Sequence, residues 1–244
     1  MEWRDTGIVV SARPLGEGGV VVELMTRAHG RHLGLVRGGR SRRLSPVLQP
    51  GNEVDAVWRA RLDEQLGTYV VEPVKARAAR LIDSAAGAFG LALLAGHLRL
   101  LAEREPHQYL YEALGVVLDH LDDPEVAGQL MVRFELVLLD ELGFGLDLAT
   151  CAATGAETDL AYVSPKSGRA VGREPGAPWR DRLLPLPRFL ADRTANAPPE
   201  ADEIRDGFRL TGHFLDTRAF EPRGLTLPPD RERYLAAVLK GMAA

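Results

Sequence analysis

Cysteine is nearly absent from the sequence, and long apolar runs are missing. The 244 residues include one cysteine, Cys151, which excludes an internal disulfide and favours a reducing compartment. No apolar run reaches the roughly 18 residues needed to span a bilayer. The opening MEWRDTGIVV carries acidic residues and lacks the apolar segment of a secretory signal. These features predict a cytoplasmic protein.

Clusters of catalytic residue types are also missing. The histidines are scattered, and His29 and His32 lie across a turn instead of sharing one helix face. Ser164 lacks the Gly-x-Ser-x-Gly setting of a hydrolase nucleophile. The sequence has no Gly-x-x-x-x-Gly-Lys-Ser/Thr loop to cradle a nucleotide phosphate. It therefore predicts a protein that is not an enzyme and that needs no cofactor.

The charge is unevenly distributed along the chain. The overall formal charge is −4, yet residues 1–80 hold 13 basic and 9 acidic side chains, a net of +4. Residues 81–244 hold 17 and 25, a net of −8. A basic N-terminal part within an acidic protein favours contact with a polyanion.

The first 75 residues have the pattern of a small β-barrel. Five β-rich segments with turn residues between them predict strands over 6–16, 19–30, 31–39, 52–62 and 66–74. We expect a five-stranded OB-fold domain over residues 1–76. Alternation along the fourth strand favours a core position for Trp58, and a stacking platform is the alternative.

After Val74 the apolar period becomes helical. Helices are predicted over 75–104, 107–121, 122–143, 187–193, 200–220 and 229–242. Asp123 is the expected N-cap of the third helix, and Gly143 its end. Residues 147–187 are rich in glycine and proline and predict an irregular insert with one hairpin between LAYVS and GRAVG. The fold class is therefore α+β, with an α-helical domain over residues 77–244.

The stretch TRAHGRHLGLVRGGRSRR, residues 26–43, concentrates positive charge and contains no acid. Glycines let the backbone approach a ligand closely, and arginine forks suit phosphate oxygens. On the strand and loop surface of a barrel, such a segment favours single-stranded nucleic acid held by its backbone. The alternative is a solvated loop that confers solubility. The candidate DNA-binding residues are Arg27, Arg31, Arg37, Arg40, Arg42 and Arg43.

Three segments resemble the RecO family of recombination and DNA-repair proteins. They are residues 7–43 together with LQPGNEVD at 48–55, VRFELVLLDELGFGLDLATCAATG at 132–155, and LAYVSPKSGRAV at 160–171. The resemblance implies an N-terminal OB-fold, an α-helical domain and a zinc-finger-like insert. It also implies binding to single- and double-stranded DNA, strand annealing, recombinase loading, and partnership with RecR and the single-strand-binding protein SSB. Association with the nucleoid would follow. The alternative is a protein-interaction adaptor with no direct DNA role.

The sequence departs from this family pattern in the insert. Many members carry four zinc-binding cysteines that begin with Cys-x-x-Cys, whereas here the motif is Cys-Ala-Ala-Thr and no histidine lies between residues 121 and 212. Structural zinc takes four Cys or His ligands, so we expect no metal. The resemblance also suggests that Arg133 receives the acidic, phenylalanine-ended tail of SSB. The alternative is a salt bridge from Arg133 to Glu135 or Asp140.

Overall fold

The computed structural model describes residues 1–192 and 197–243. The chain forms two compact units, Met1–Leu121 and Asp122–Ala244. This division falls between Leu121 and Asp122. The domain boundary predicted after residue 76 stays a prediction. Among the described residues, no helix has the length and hydropathy needed to cross a membrane.

The first unit begins with a closed five-stranded barrel. Its strands are β1 (Glu2–Leu15), β2 (Gly19–Thr26), β3 (Gly30–Val36), β4 (Glu53–Arg59) and β5 (Thr68–Lys75), in the order β1-β2-β3-β5-β4. Strand β1 is long enough to pair antiparallel with both β4 and β2, and a bulge between Val9 and Ser11 marks its bend. The barrel closes between β3 and β5, which are parallel and share two residue pairs. The predicted α+β class with an OB-like N-terminal sheet is confirmed.

Alternation of apolar residues builds the barrel core. Val54, Ala56 and Trp58 of β4 are fully buried, and the Trp58 indole donates to the Leu66 carbonyl oxygen at 3.1 Å. The core interpretation of Trp58 is therefore correct, and the stacking-platform alternative is wrong. Gly34 is needed beside this core because a Cβ there would lie 2.3 Å from the Tyr69 ring.

Three helices complete the first unit: α1 (Ala78–Ile82), α2 (Ala85–Leu98) and α3 (Gln108–Asp119). The prediction of one helix over 75–104 is wrong because the helix is interrupted at Asp83 and Ser84. The Ser84 hydroxyl accepts the Gly87 N–H at 2.9 Å and starts α2. The break is tight, since a Cβ on Gly87 would lie 2.1 Å from the Leu81 carbonyl oxygen.

The helices of the second unit include α4 (Ala127–Glu141). The prediction that Asp123 caps this helix is wrong, because the helix begins after Val126. The Asp123 carboxylate accepts the Glu125 N–H at 3.1 Å, and its carbonyl accepts the Ala127 N–H at 2.8 Å, so it starts a separate turn ahead of the helix. Gly143 follows the helix with a φ of +82°, as expected of a glycine at a helix end.

The insert contains a three-stranded sheet made of β6 (Leu160–Val163), β7 (Ala170–Gly172) and β8 (Leu184–Pro185). The predicted hairpin is confirmed as the antiparallel pair of β6 and β7. Strand β8 pairs with the other edge of β6 and was not predicted. Between β7 and β8 lie the short helix α5 (Arg173–Gly176) and a 3-10 turn over Ala177–Arg182.

The remaining helices follow the insert. Among the described residues they are α6 (Arg188–Ala191), α7 (Ala201–Phe214), which continues as a π-helical turn over Leu215–Phe220 and a 3-10 turn over Glu221–Arg223, and α8 (Asp230–Met242). Residue 193 of the helix predicted over 187–193 lies outside the described residues.

A buried ion pair and a hydroxyl group connect three of the helices of this unit. Arg231 of α8 donates twice to Glu135 of α4 at 2.8 Å, and the Thr211 hydroxyl of α7 donates to the same carboxylate.

Candidate nucleic-acid interface

Two of the six candidate arginines, Arg27 and Arg31, form ion pairs within the first unit, and a third, Arg40, donates to the Glu17 carbonyl oxygen at 3.3 Å. Arg31 has a side chain only 13% exposed, forms an ion pair with Glu23, and donates to the Leu101 carbonyl oxygen at 3.2 Å. Arg27 lies at the β2–β3 turn, with its Nη2 3.1 Å from Glu112 Oε1. These contacts join the barrel hairpin to helix α3 and to the segment that follows α2, so they give Arg27 and Arg31 a structural role.

The other four arginines are exposed on the segment that leaves β3. We call this segment, residues 37–43, the arginine loop; its arginines are Arg37, Arg40, Arg42 and Arg43. The loop begins as a turn in which Gly38 has a φ of +65° and its carbonyl accepts the Ser41 N–H at 2.9 Å. A Cβ on Gly39 would lie 2.8 Å from Val20, so the backbone lies directly against the barrel. The positive charges are therefore mounted on ordered backbone.

A cleft of about 380 Å³ opens beside the arginine loop. Arg37 and Arg43 lie on its border, and its other lining residues are Val36, Leu44, Thr68, Tyr69, Val70 and Val71. The cleft exists because β3 ends at Val36, its last pair with β5, while β5 runs on to Lys75. Cationic forks thus flank a strand surface that includes the exposed side chain of Val70.

The two nearby histidines belong to an aromatic cluster in the barrel. His29 stacks on Trp3 with ring centroids 4.0 Å apart, and its Nδ1 lies 3.1 Å from an Asp5 carboxylate oxygen. His32 is buried against Trp58 at 4.9 Å, and burial lowers the pKa of His32 to about 4. Both side chains thus contribute to barrel packing.

Arg133 is exposed on α4, as a partner-binding role requires. Its guanidinium donates to the Phe189 carbonyl oxygen and lies 5.9 Å from the centre of the Phe189 ring. Glu135, one of the two acids considered as its partner, is fully buried and binds Arg231 instead. Arg133 therefore presents a cation beside a buried aromatic ring, and that setting suits a carboxylate next to an apolar side chain.

Cys151 is buried in the insert, where the Gly172 N–H donates to its Sγ at 3.2 Å. A hydrogen bond from the Thr154 side chain, followed by the Gly172 N–H, lowers the pKa of Cys151 to about 7. Thr154 occupies the position of the second cysteine in a Cys-x-x-Cys pair. Among residues 1–192 and 197–243, no cluster of three or more Cys, His, Asp or Glu is arranged to hold a metal ion.

Two turns of the insert share one backbone pattern. In CAATG the Gly155 N–H donates to the Cys151 carbonyl, and in SPKSG the Gly168 N–H donates to the Ser164 carbonyl, each at 2.8 Å. The two glycines have φ values of +74° and +73°. Hydrogen bonds thus hold both turns.

Comparison with known proteins assigns the chain to a class, the proteins of DNA recombination and repair. A model described as Recombination protein O N terminal matches residues 1–77, and one described as Recombination protein O C terminal matches residues 81–225. Together they cover most of the chain, which belongs to the RecO family. Family membership confirms the predicted connection with DNA repair and recombination.

Curated relatives named DNA repair protein RecO are similar over nearly their full length. The protein of Chelativorans sp. is 60% identical over 244 residues, covering 99% of this chain and 97% of the relative. That of Mesorhizobium japonicum is 59% identical over 240 residues, with coverages of 98% and 94%. That of Brucella abortus is 55% identical over 238 residues, with coverages of 98% and 96%.

Proposed function

We propose that this protein is a non-enzymatic mediator of DNA recombination that binds single- and double-stranded DNA through backbone phosphates. The observation that carries the proposal is the arginine loop, in which four exposed guanidinium groups sit on ordered backbone beside the β3–β5 cleft. Arginine presents a planar fork that matches two phosphate oxygens, whichever base is attached. Binding of this kind is sequence-independent, as a repair protein requires.

The arginine loop, with Arg37, Arg40, Arg42 and Arg43, is the primary DNA contact in this proposal. Arg27 contributes at the edge of the surface, where its exposed guanidinium is shared with Glu112. Arg31 stabilises the β2–β3 hairpin through its ion pair with Glu23 and does not contact the DNA in this proposal. Binding two strands at one surface neutralises part of their mutual repulsion, and this promotes annealing without a nucleotide or metal cofactor.

Partner proteins complete the proposed activity. Arg133 would pair with a carboxylate of the SSB tail while the phenylalanine of that tail packs near Phe189. RecR would join at a separate surface, and together the partners would assist recombinase loading. DNA binding would place the protein at the nucleoid, in the cytoplasm.

A salt titration of DNA binding tests the proposal. The affinity for a fluorescently labelled single-stranded oligonucleotide is measured from low to moderate salt for the wild type and for the fourfold alanine variant of the arginine loop. Each phosphate contact on a single strand contributes about 0.7 to the slope of log K against log salt, so four lost contacts flatten the slope by about 3. Duplex DNA is measured in parallel.

A second fourfold variant is the matched control. It replaces Arg205, Arg209, Arg223 and Arg233, exposed arginines of the second unit, and therefore changes the net charge equally. The control should keep the wild-type slope. An adaptor without a DNA role would show no salt-dependent binding in any of the proteins. Equal slopes in the wild type and the arginine-loop variant would reject the assignment of the loop.

A further inference from the structure

Trp179 is an exposed tryptophan on the insert, far more accessible than the barrel tryptophans. It is 57% exposed, whereas Trp58 is fully buried. It lies in the 3-10 turn between β7 and β8, within the sequence APWRDR. Large aromatic side chains usually bury most of their surface, so a tryptophan kept in solvent indicates a binding surface.

The backbone under Trp179 is fixed from both sides. Gly176 packs so closely on Tyr162 that a Cβ would lie 2.5 Å from the tyrosine ring. Pro178 restricts the turn immediately before the tryptophan, and the Leu183 N–H donates to the Arg180 carbonyl at 3.3 Å after it. Strand β8 then pairs with β6. The indole is consequently presented on an ordered platform, which lowers the entropy lost on binding.

Two arginines flank the exposed ring. The Arg182 guanidinium carbon lies 5.8 Å from the Trp179 ring centre, within the range of a cation–π contact. The Arg180 side chain is 73% exposed, and its Nε lies 3.7 Å from a carboxylate oxygen of Asp181, whose side chain is 93% exposed. Elsewhere in the insert, Arg173 forms a closer pair with Asp159 at 3.1 Å, so its charge is more fully neutralised.

We propose that Trp179, Arg180 and Arg182 form a second contact for single-stranded nucleic acid, separate from the arginine loop. An unstacked base would lie on the open face of Trp179, and Arg180 and Arg182 would bind the phosphates on either side of it. The choice of a nucleic acid as occupant rests on the proposed function and on the two cations beside the ring. A single strand is favoured over a duplex because stacking on the indole requires a base free of its own stack.

Substitution of Trp179 and of the two flanking arginines tests this second contact. Trp179→Ala should weaken binding of an oligothymidine about tenfold, and Trp179→Phe should lose much less because a ring remains. Arg180→Ala/Arg182→Ala should weaken binding and reduce its salt dependence. Arg173→Ala, on the same segment, is the matched control and should bind like the wild type. Duplex affinity should change little in the tryptophan variants.

Tryptophan fluorescence and crosslinking supply independent readouts. Titration with oligothymidine should quench the wild-type emission, and Trp179→Phe should abolish most of the quenching because Trp58 is buried and Trp3 is half-buried and stacked on His29. Photocrosslinking to a halogenated deoxyuridine oligonucleotide should label the peptide that contains Trp179. Wild-type affinity in Trp179→Ala would overturn the second contact, as would an equal loss in Arg173→Ala and Arg180→Ala/Arg182→Ala.

The experiment separates this inference from the proposed function. If the arginine-loop variant loses its salt dependence while Trp179→Ala binds normally, the second contact is rejected and the proposed function stands. If the wild type does not bind oligonucleotides in dilute buffer, both are rejected. If both contacts operate, the combined variant should bind more weakly than either parent variant.

Discussion

The buried imidazole of His32 makes barrel stability depend on pH in a predictable direction. Its Nδ1 lies 2.9 Å from the Leu33 carbonyl oxygen and 3.1 Å from the Tyr69 hydroxyl oxygen. Since a carbonyl oxygen only accepts hydrogen bonds, Nδ1 carries the proton of the neutral ring. Protonation of Nε2 would place a charge among the rings of Trp3, Trp58 and Tyr69. Burial, the largest cause, and then Arg104 lower the pKa of His32 from 6.5 to about 4.

The direction of the pH dependence follows from how many protons His32 binds in the folded and unfolded states. Between pH 6.5 and about 4 the unfolded chain holds a proton at His32 that the folded barrel lacks, so stability falls as pH falls through this window. The slope approaches about 1.4 kcal/mol per pH unit, and the full loss, reached below pH 4, is about 3 kcal/mol. Above pH 6.5 the contribution of His32 to the pH dependence vanishes.

Urea unfolding at a series of pH values measures this effect. Trp179→Phe removes the tryptophan of the insert, so that emission from Trp3 and Trp58 reports the first unit. His32→Gln in the same background stays neutral at every pH, and the difference between the two proteins cancels titration of the carboxylates. We expect the unfolding free energies to converge as the pH falls from 7.5 to 4. Parallel pH profiles would refute the argument.

Two further substitutions test packing and conformation. Arg231→Met removes the guanidinium that pairs with the fully buried Glu135 carboxylate and should destabilise the second unit by about 3–5 kcal/mol. Glu135→Gln/Arg231→Met should recover much of the loss, and chemical unfolding of both variants provides the comparison. Gly30→Ala should cost about 3 kcal/mol in thermal unfolding, because φ is +62° and the new Cβ would lie 1.8 Å from the Glu105 carbonyl oxygen. Gly16→Ala, with a φ of +63° and open space, should cost about 1 kcal/mol; equal losses would contradict the steric explanation.

The barrel could be predicted because its signals are local. Alternation along β4 identified the buried face that contains Trp58, and turn residues separated the strands. The break between α1 and α2 could not be predicted from helical periodicity, since Ala85 and its neighbours continue the apolar pattern. It depends on a close contact between Gly87 and the Leu81 carbonyl oxygen that exists only in the folded chain.

The candidate interface could be predicted only in part, because composition is a local signal and side-chain contacts are not. Composition alone identified a basic segment, but the environment of each arginine depends on tertiary contacts. Arg31 is held by Glu23 because the β2–β3 register pairs Glu23 with Leu33 and Met25 with Arg31, which brings the two charges together diagonally. Trp179 was missed because the sequence has no periodic pattern there that separates an exposed tryptophan from a buried one. The neighbouring Pro178, Arg180 and Arg182 were the only local indication of exposure.

The link between Glu135 and Arg231 also affects the order of events during translation. The two residues lie 96 positions apart, so helix α4 leaves the ribosome long before its cation has been made. Until then, a carboxylate destined for a dry interior must stay hydrated, and the surrounding apolar side chains cannot close over it. The second unit is therefore completed only once α8 has emerged, whereas the barrel, built from the first 75 residues, has all its strands available early in synthesis.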